Sequence, residues 1–230
     1  MHASIRWLLT GTAAAALVAC ADSATSPRNA APRAPSAPAF DFSATSYNLG
    51  LTQADFTVGS TGGSFSIGGL YTVSFPGNSV CDPARSTYGA TEWDNDCVLL
   101  DQGQSIRIHA TLVLASNGLS VDFTPALRFA PSANVTISTD VFAPLIKANR
   151  DYFQKNPGAL NPLAILYSAN LGSTGVSDYA RDKSLGTHIN LSTGRIWRRV
   201  KHFSGYSIIS GEACDPSPDN PDCVWVDDKE

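Results

Sequence analysis

The chain has 230 residues, a formal net charge of −4 at pH 7 and a hydrophobic fraction of 43%. This length is enough to bury one sizeable core. The acidic balance excludes nucleic acid as an expected partner.

The first residues are those of an export signal. One cationic residue, Arg6, precedes an apolar run at residues 7–19 that is too short to span a bilayer. The run ends in Leu17-Val18-Ala19-Cys20, which resembles the lipobox of bacterial lipoproteins. That resemblance implies that residues 1–19 are removed and that Cys20 carries lipid. The alternative is an ordinary secreted protein that is cleaved near the alanine run.

A tether is predicted at residues 20–39, which are rich in Pro, Ala and Ser and contain almost no large apolar side chain. Acyl chains on both the sulfur and the amine of Cys20 would anchor the protein stably. In lipoproteins of this kind, Asp directly after the Cys retains the protein at the inner membrane. Here Ala21 follows Cys20, so the resemblance implies the outer membrane.

The cysteine count is odd for an exported chain, at five, and lipidation of Cys20 would leave an even number. We expect the others to form disulfides in an oxidising compartment. Several connectivities are open, of which local pairing is favoured: Cys81 with Cys97, and Cys214 with Cys223. No metal site and no cofactor are expected, because C-x-x-C spacing is absent and the histidines are scattered.

Residues 40–211 have the pattern of an all-β, antiparallel β-sandwich with one short helix. Apolar residues alternate on one face from Ile106 to Leu114, Asn117-Gly118 is typical of a type I′ turn, and alternation resumes at Leu119. Further strands are predicted in GGLYTVSF, NVTIST, LAILYSA, GTHINL and RIWRRVKHFSGYSII. Only PLIKANRDYFQ predicts a helix. A disulfide-closed acidic tail is expected at residues 212–230.

Four stretches of this domain carry a family resemblance: Gly62-Gly63, a strand ending in VSFPGNSV, the pair DFTPALRFAPSANVTIST, and a closing HFSGYSI. Together they resemble a ZU-five domain, the β-sandwich module named for zonula occludens proteins and the netrin receptor Unc-five. The resemblance covers roughly residues 61–211 and implies a structural or protein-interaction module. The segment FPGNSVCDPARSTYGATEWDNDCV also resembles a loop of uncharacterised bacterial exported proteins, which brings no biochemical role with it.

Some ZU-five domains cleave themselves at His-Phe-Ser, which implies that His202 is a general base, Ser204 a nucleophile and Phe203–Ser204 the bond cut. Residues two apart in a strand share a face, so a local kink would let the imidazole reach the hydroxyl. Gly205 would tolerate that kink. The structural alternative is that His202 hydrogen-bonds a neighbouring strand or loop, Phe203 fills the core and Ser204 makes ordinary sheet contacts.

A second alternative, a glycan-binding module, is favoured by three tryptophans: Trp93, Trp197 and Trp225. No enzyme acting on other molecules is expected, because no nucleophile-elbow motif is present. A basic cluster is expected on a solvated strand: Arg195, Arg198, Arg199 and Lys201. The expected partners are therefore a membrane, through the lipid, and an envelope protein or glycan.

Overall fold

The structure is a computed structural model that describes residues 51–115, 118–168, 185–209 and 224–227, together with Pro38. These residues all fall within one unit, residues 37–230. The predicted signal, the lipid site at Cys20, the tether and the pairing of Cys214 with Cys223 lie outside the described residues.

Strands dominate the described part of the chain. Their bounds are β1 Leu51–Gly59, β2 Gly63–Ile67, β3 Tyr71–Phe75, β4 Ser105–Ala115, β5 Gly118–Arg128, β6 Thr136–Thr139, β7 Ile165–Ser168, β8 Thr187–Asn190, β9 Ile196–Arg199, β10 His202–Ile209 and β11 Val224–Asp227. They form a first sheet in the order β1-β4-β5-β10-β7 and a second sheet in the order β11-β8-β9-β6-β3-β2.

The two sheets enclose one hydrophobic core, as expected of a sandwich. Neighbouring strands pair antiparallel, apart from β11, which runs parallel to β8. The predicted alternation in β4 is observed, because Ile108, Ala110 and Leu112 are fully buried. The all-β, sandwich-like prediction is confirmed.

Aromatic side chains join the sheets across the core. Phe75 of the second sheet meets Phe203 of the first edge to face, with ring centroids 5.5 Å apart. Phe56 of β1 and Phe65 of β2 also join the two sheets, but their rings are stacked, with centroids 4.5 Å apart. Full burial of a ring, as for Phe203, contributes about 2–3 kcal/mol, and edge-to-face contacts add to it.

The helical region is more divided than the single predicted helix. Two short helices, α1 (Ala143–Ala148) and α2 (Arg150–Lys155), are separated by Asn149 and followed by a 3-10 helix at Pro157–Leu163. The side-chain amide of Asn149 donates to Leu145 O at 2.9 Å, and such local bonds compete with regular helix geometry. No helix among the described residues is both long enough and apolar enough to span a bilayer.

The long predicted strand through RIWRRVKHFSGYSII is wrong in one respect, because it is two strands in different sheets. The chain leaves β9 at Val200 and Lys201 and enters β10 at His202. There Val200 N donates to Val135 O at 2.9 Å, and Lys201 O accepts from Phe129 N at 2.8 Å. These bonds turn the backbone out of the β9 ladder and across the sandwich.

The β4–β5 hairpin also differs in register from the sequence expectation. Ala115 pairs with Gly118, so Gly118 belongs to β5 rather than to the turn.

Three of the described strands were not predicted at all: β1, β2 and β11. Strand β11 lies in the segment assigned to the acidic tail, and its pairing with β8 extends the second sheet.

The turn between β8 and β9 contains a glycine that packs closely against α1. Gly194 has φ +77° and a Cβ there would lie 2.5 Å from Ala143 Cα at the start of α1, whereas Gly103 has φ +84° and open space. Gly194→Ala should therefore destabilise the protein by about 1–3 kcal/mol more than Gly103→Ala. Urea unfolding of both variants measures the difference, and equal losses would contradict the close contact.

Candidate functional site

The His202-Phe203-Ser204 tripeptide begins β10, where the pairing with β5 is interrupted. Phe203 pairs with Leu127 but Gly205 pairs with Asp122. Residues 123–126 of β5 therefore lie opposite the single residue Ser204. This bulge removes Ser204 from the regular ladder on that side.

Phe203 points into the core, as the structural alternative predicted. Its ring stacks on Phe123 at 4.0 Å, with the planes 10° apart. It also meets Phe129 edge to face at 4.9 Å, and it has no exposed surface. The acyl side of the Phe203–Ser204 bond is therefore held firmly by the core.

His202 lies on the other side of β10, in an aromatic cage. Its imidazole stacks on Trp93 at 3.6 Å and meets Tyr167 edge to face at 5.1 Å. Only 1% of the residue is exposed. Burial lowers the pKa of His202 to about 3, with a further contribution from the positive charge of Arg198. The imidazole is therefore neutral at physiological pH.

Tyr88 links the members of the tripeptide, although no sequence motif marks it as a site residue. Its hydroxyl donates to Phe203 O at 2.9 Å and lies 3.4 Å from His202 Nδ1. Partial burial raises the pKa of Tyr88, while the nearby Ser204 hydroxyl opposes that rise. Among the described residues, the buried Ser204 Oγ has no partner at hydrogen-bonding geometry.

Tyr88 and Trp93 both belong to the segment closed by Cys81 and Cys97, which we call the disulfide loop (residues 82–96). The predicted Cys81–Cys97 disulfide is present, with the Cα atoms 5.7 Å apart. The guanidinium of Arg128 donates to Glu92 O and to Asp96 O. Lys201 Nζ pairs with the Asp94 carboxylate. These contacts hold the disulfide loop over the start of β10. The sequence does not indicate this arrangement, because the loop and β10 lie more than a hundred residues apart.

Gly205 lies where β10 approaches β7 closely. Its backbone is not in the left-handed region, but a Cβ at this position would lie 2.5 Å from Ser168 O on β7. The glycine is therefore needed for the close approach of two paired strands.

The basic cluster was expected to be solvated, and for Arg198 this is wrong. Arg198 is 1% exposed, donates to Ile165 O at 2.6 Å and lies over the Tyr206 ring at 5.6 Å. Burial lowers its pKa to about 10. The reason is strand alternation, since Arg198 shares the inward face of β9 with Ile196.

The three tryptophans do not form one surface. Trp93 covers His202 at the first sheet, whereas Trp197 stacks on His188 at 4.2 Å on the second. Trp225 is the register partner of His188 on β11. Among the described residues, no group of three or more His, Cys, Asp or Glu side chains could hold a metal ion.

Comparison with known proteins gives no match: no family model, no curated protein and no solved structure matches this chain. The resemblance to ZU-five domains stays a prediction from the motifs quoted above.

The buried imidazole predicts a pH-dependent stability. An exposed histidine has a pKa near 6.5, and the folded-state pKa of His202 is about 3. As the pH falls from about 6.5 towards 3, the unfolded chain takes up a proton that the folded chain does not, so stability is lost. We expect this group to contribute up to about 1.4 kcal/mol of loss per pH unit in that window.

Urea unfolding of the wild type and of His202→Gln, at half-unit steps between pH 7.5 and 4.5, measures this contribution. The variant should show a shallower loss of stability on acidification, whatever its stability at neutral pH. Equal slopes in the two proteins would contradict a neutral, buried imidazole.

Proposed function

We propose that this chain is an extracytoplasmic structural or protein-interaction module, attached to a membrane through lipid on Cys20. The observation that carries the proposal is a cleft of about 650 Å³ between the disulfide loop and the end of β5. One wall is formed by residues 83–88 and Cys81, and the other by residues 126–128. An envelope protein is the partner we favour for it.

The cleft is suited to recognition because its walls are held in place before any partner binds. Arg85, on the loop wall, pairs with Asp82 at 2.5 Å and with Asp101 at 2.9 Å. Arg128, on the opposite wall, bonds the loop backbone at Asp96 O, 2.9 Å away. A binding surface that is already ordered loses less conformational entropy on association.

The proposed attachment to a membrane is supported by the sequence motif at Cys20. It suits a module that presents a cleft to a partner. Residues 20–39 would separate the sandwich from the membrane as a semi-extended spacer. Ala21 after Cys20 favours the outer membrane. The resemblance of HFSGYSI to the closing strand of ZU-five domains supports the interaction role, since that family serves mostly such roles.

A second candidate function, self-cleavage at Phe203–Ser204, is favoured by the bulge at Ser204. The serine lies outside the regular β5 ladder, and the carbonyl before it is anchored by the buried Phe203 ring. The neighbouring His202 is neutral, but burial lowers its pKa to about 3, which makes it a weak base in the folded chain. The bulge and the anchored carbonyl are therefore the features that suit an intramolecular attack, which would occur once per chain.

The chemistry of that reaction balances with water as the only co-reactant. Ser204 Oγ bonds to the Phe203 carbonyl carbon as its proton passes to His202. The C–N bond then breaks while the proton moves to the departing Ser204 nitrogen, which leaves an ester. Water hydrolyses the ester, giving a carboxylate on Phe203, a free amine on Ser204 and the restored hydroxyl.

The interaction proposal predicts position-dependent crosslinking in intact cells. A photoreactive amino acid replaces Thr87, which lines the cleft, or, as the control, Ser66 on the exposed face of β2. The Thr87 position should give a discrete larger species that protease degrades, and Ser66 should give none. A product degraded only by glycosidase would indicate that the partner is a glycan and not a protein. Equal labelling at both positions would contradict the proposal that the cleft is the binding site.

The self-cleavage candidate predicts a fragment that begins at Ser204. Protein recovered from membranes should give two species on a denaturing gel, and intact mass should place the new amine at Ser204. Ser204→Ala should remain as one chain because the nucleophile is absent. If the wild type and Ser204→Ala both run as a single full-length band, the self-cleavage candidate is rejected. The interaction proposal would not be affected by that result. The same mass spectrum reports acylation at Cys20.

A further inference from the structure

The carbonyl of Phe203 receives a side-chain hydrogen bond from outside the sheet. Tyr88 donates its hydroxyl proton to Phe203 O across 2.9 Å. The described pairing of β7 with β10 begins at Gly205, opposite Ser168, where the described part of β7 ends. The donor to Phe203 O is a loop residue more than a hundred positions away in sequence.

This oxygen is the atom on which negative charge would develop if Ser204 attacked the Phe203 carbon. A donor aimed at such an oxygen stabilises the transition state more than the ground state, because the hydrogen bond strengthens as charge accumulates. The phenol of Tyr88 can donate at neutral pH, because even the ordinary pKa of tyrosine lies near 10, and partial burial raises the pKa of Tyr88 further. The 2.9 Å separation is to the carbonyl oxygen of the uncleaved chain, so the hydroxyl is within hydrogen-bonding reach of this oxygen before any attack begins.

The disulfide loop determines where this hydroxyl lies. Tyr88 lies between Cys81 and Cys97 in sequence, and the bridge closes the loop that carries it. The other fixed points of the loop are the stacking of Trp93 on His202 and the bonds from Arg128 to the backbone of Glu92 and Asp96. All these contacts converge on the strand segment that holds the tripeptide.

We propose that Tyr88 is the oxyanion donor for cleavage at Phe203–Ser204, and that the Cys81–Cys97 disulfide controls the reaction by holding Tyr88 on the Phe203 carbonyl. This inference rests on the self-cleavage candidate. It makes Tyr88 a catalytic residue, since it touches a reacting atom, and makes the disulfide loop a redox-dependent part of the site. An exported chain would become competent to cleave only after the loop had been oxidised.

The experiment is a pulse-chase of the exported full-length protein, with the fraction cleaved followed on a denaturing gel. Tyr88→Phe retains the ring and removes the hydroxyl, so it should slow cleavage by about 10²–10³-fold. Tyr152→Phe is the matched control, because it removes the same hydroxyl from a tyrosine that lies in α2 beside Phe153, and it should cleave within a few-fold of the wild-type rate. Ser204→Ala provides the uncleaved baseline.

The disulfide is tested by substitution, because thiol reductants attack esters and would obscure the result. Cys81→Ser with Cys97→Ser should slow cleavage strongly, and adding Tyr88→Phe to that variant should slow it little further. This non-additivity distinguishes a donor placed by the loop from two unrelated losses of stability. Unfolding midpoints of each variant report whether the fold is retained.

The outcomes separate the two proposals. If the wild type cleaves and Tyr88→Phe cleaves at the same rate, the role of Tyr88 is overturned and self-cleavage stands. If the cysteine variant cleaves normally while Tyr88→Phe is slow, control by the disulfide is overturned. If the wild type and Ser204→Ala are equally uncleaved, self-cleavage fails and this inference falls with it. If Tyr88→Phe unfolds, normal cleavage by the cysteine variant still overturns control by the disulfide.

Discussion

Burial of the Phe203 ring between the two sheets is the constraint on which the rest of the site depends. The ring stacks on Phe123 of its own sheet and meets Phe75 of the opposite sheet. With that side chain fixed, the strand direction places His202 away from the core and Ser204 beside the bulge of β5. Burial of this large apolar ring therefore positions the polar groups of the tripeptide.

The imidazole of His202 is desolvated by stacking rather than by a second layer of strands. Trp93 lies against one face of the ring, and Tyr167 and Tyr206 border it. Because burial disfavours the charged form, and Arg198 adds like-charge repulsion, the neutral form is retained. The buried Arg198 donates to Ile165 O and lies over the Tyr206 ring. The same Tyr206 ring borders His202, so it contacts both nitrogen-containing side chains.

The disulfide loop connects the two proposed functions physically. One side of it forms a wall of the cleft, and the other side covers His202 and reaches Phe203 O through Tyr88. A partner that bound in the cleft would contact the same Tyr88 that donates to the carbonyl. If the chain were cut, the two pieces would stay paired, since β10 lies between β5 and β7 and exchanges backbone hydrogen bonds with both.

The amino-acid sequence alone was enough to predict the fold class, the alternation of β4 and the local disulfide, because these depend on side-chain period and on short loops. It also identified His202, Phe203 and Ser204 as a group, since they are adjacent. It did not predict the break at Val200 and Lys201, the burial of Arg198, or Tyr88 and Trp93 as members of the site. Those features follow from hydrogen bonds and ring contacts between residues far apart along the chain. Only the packing of the loop and of the two sheets brings these groups together, because contacts over such sequence separations leave no local pattern to detect.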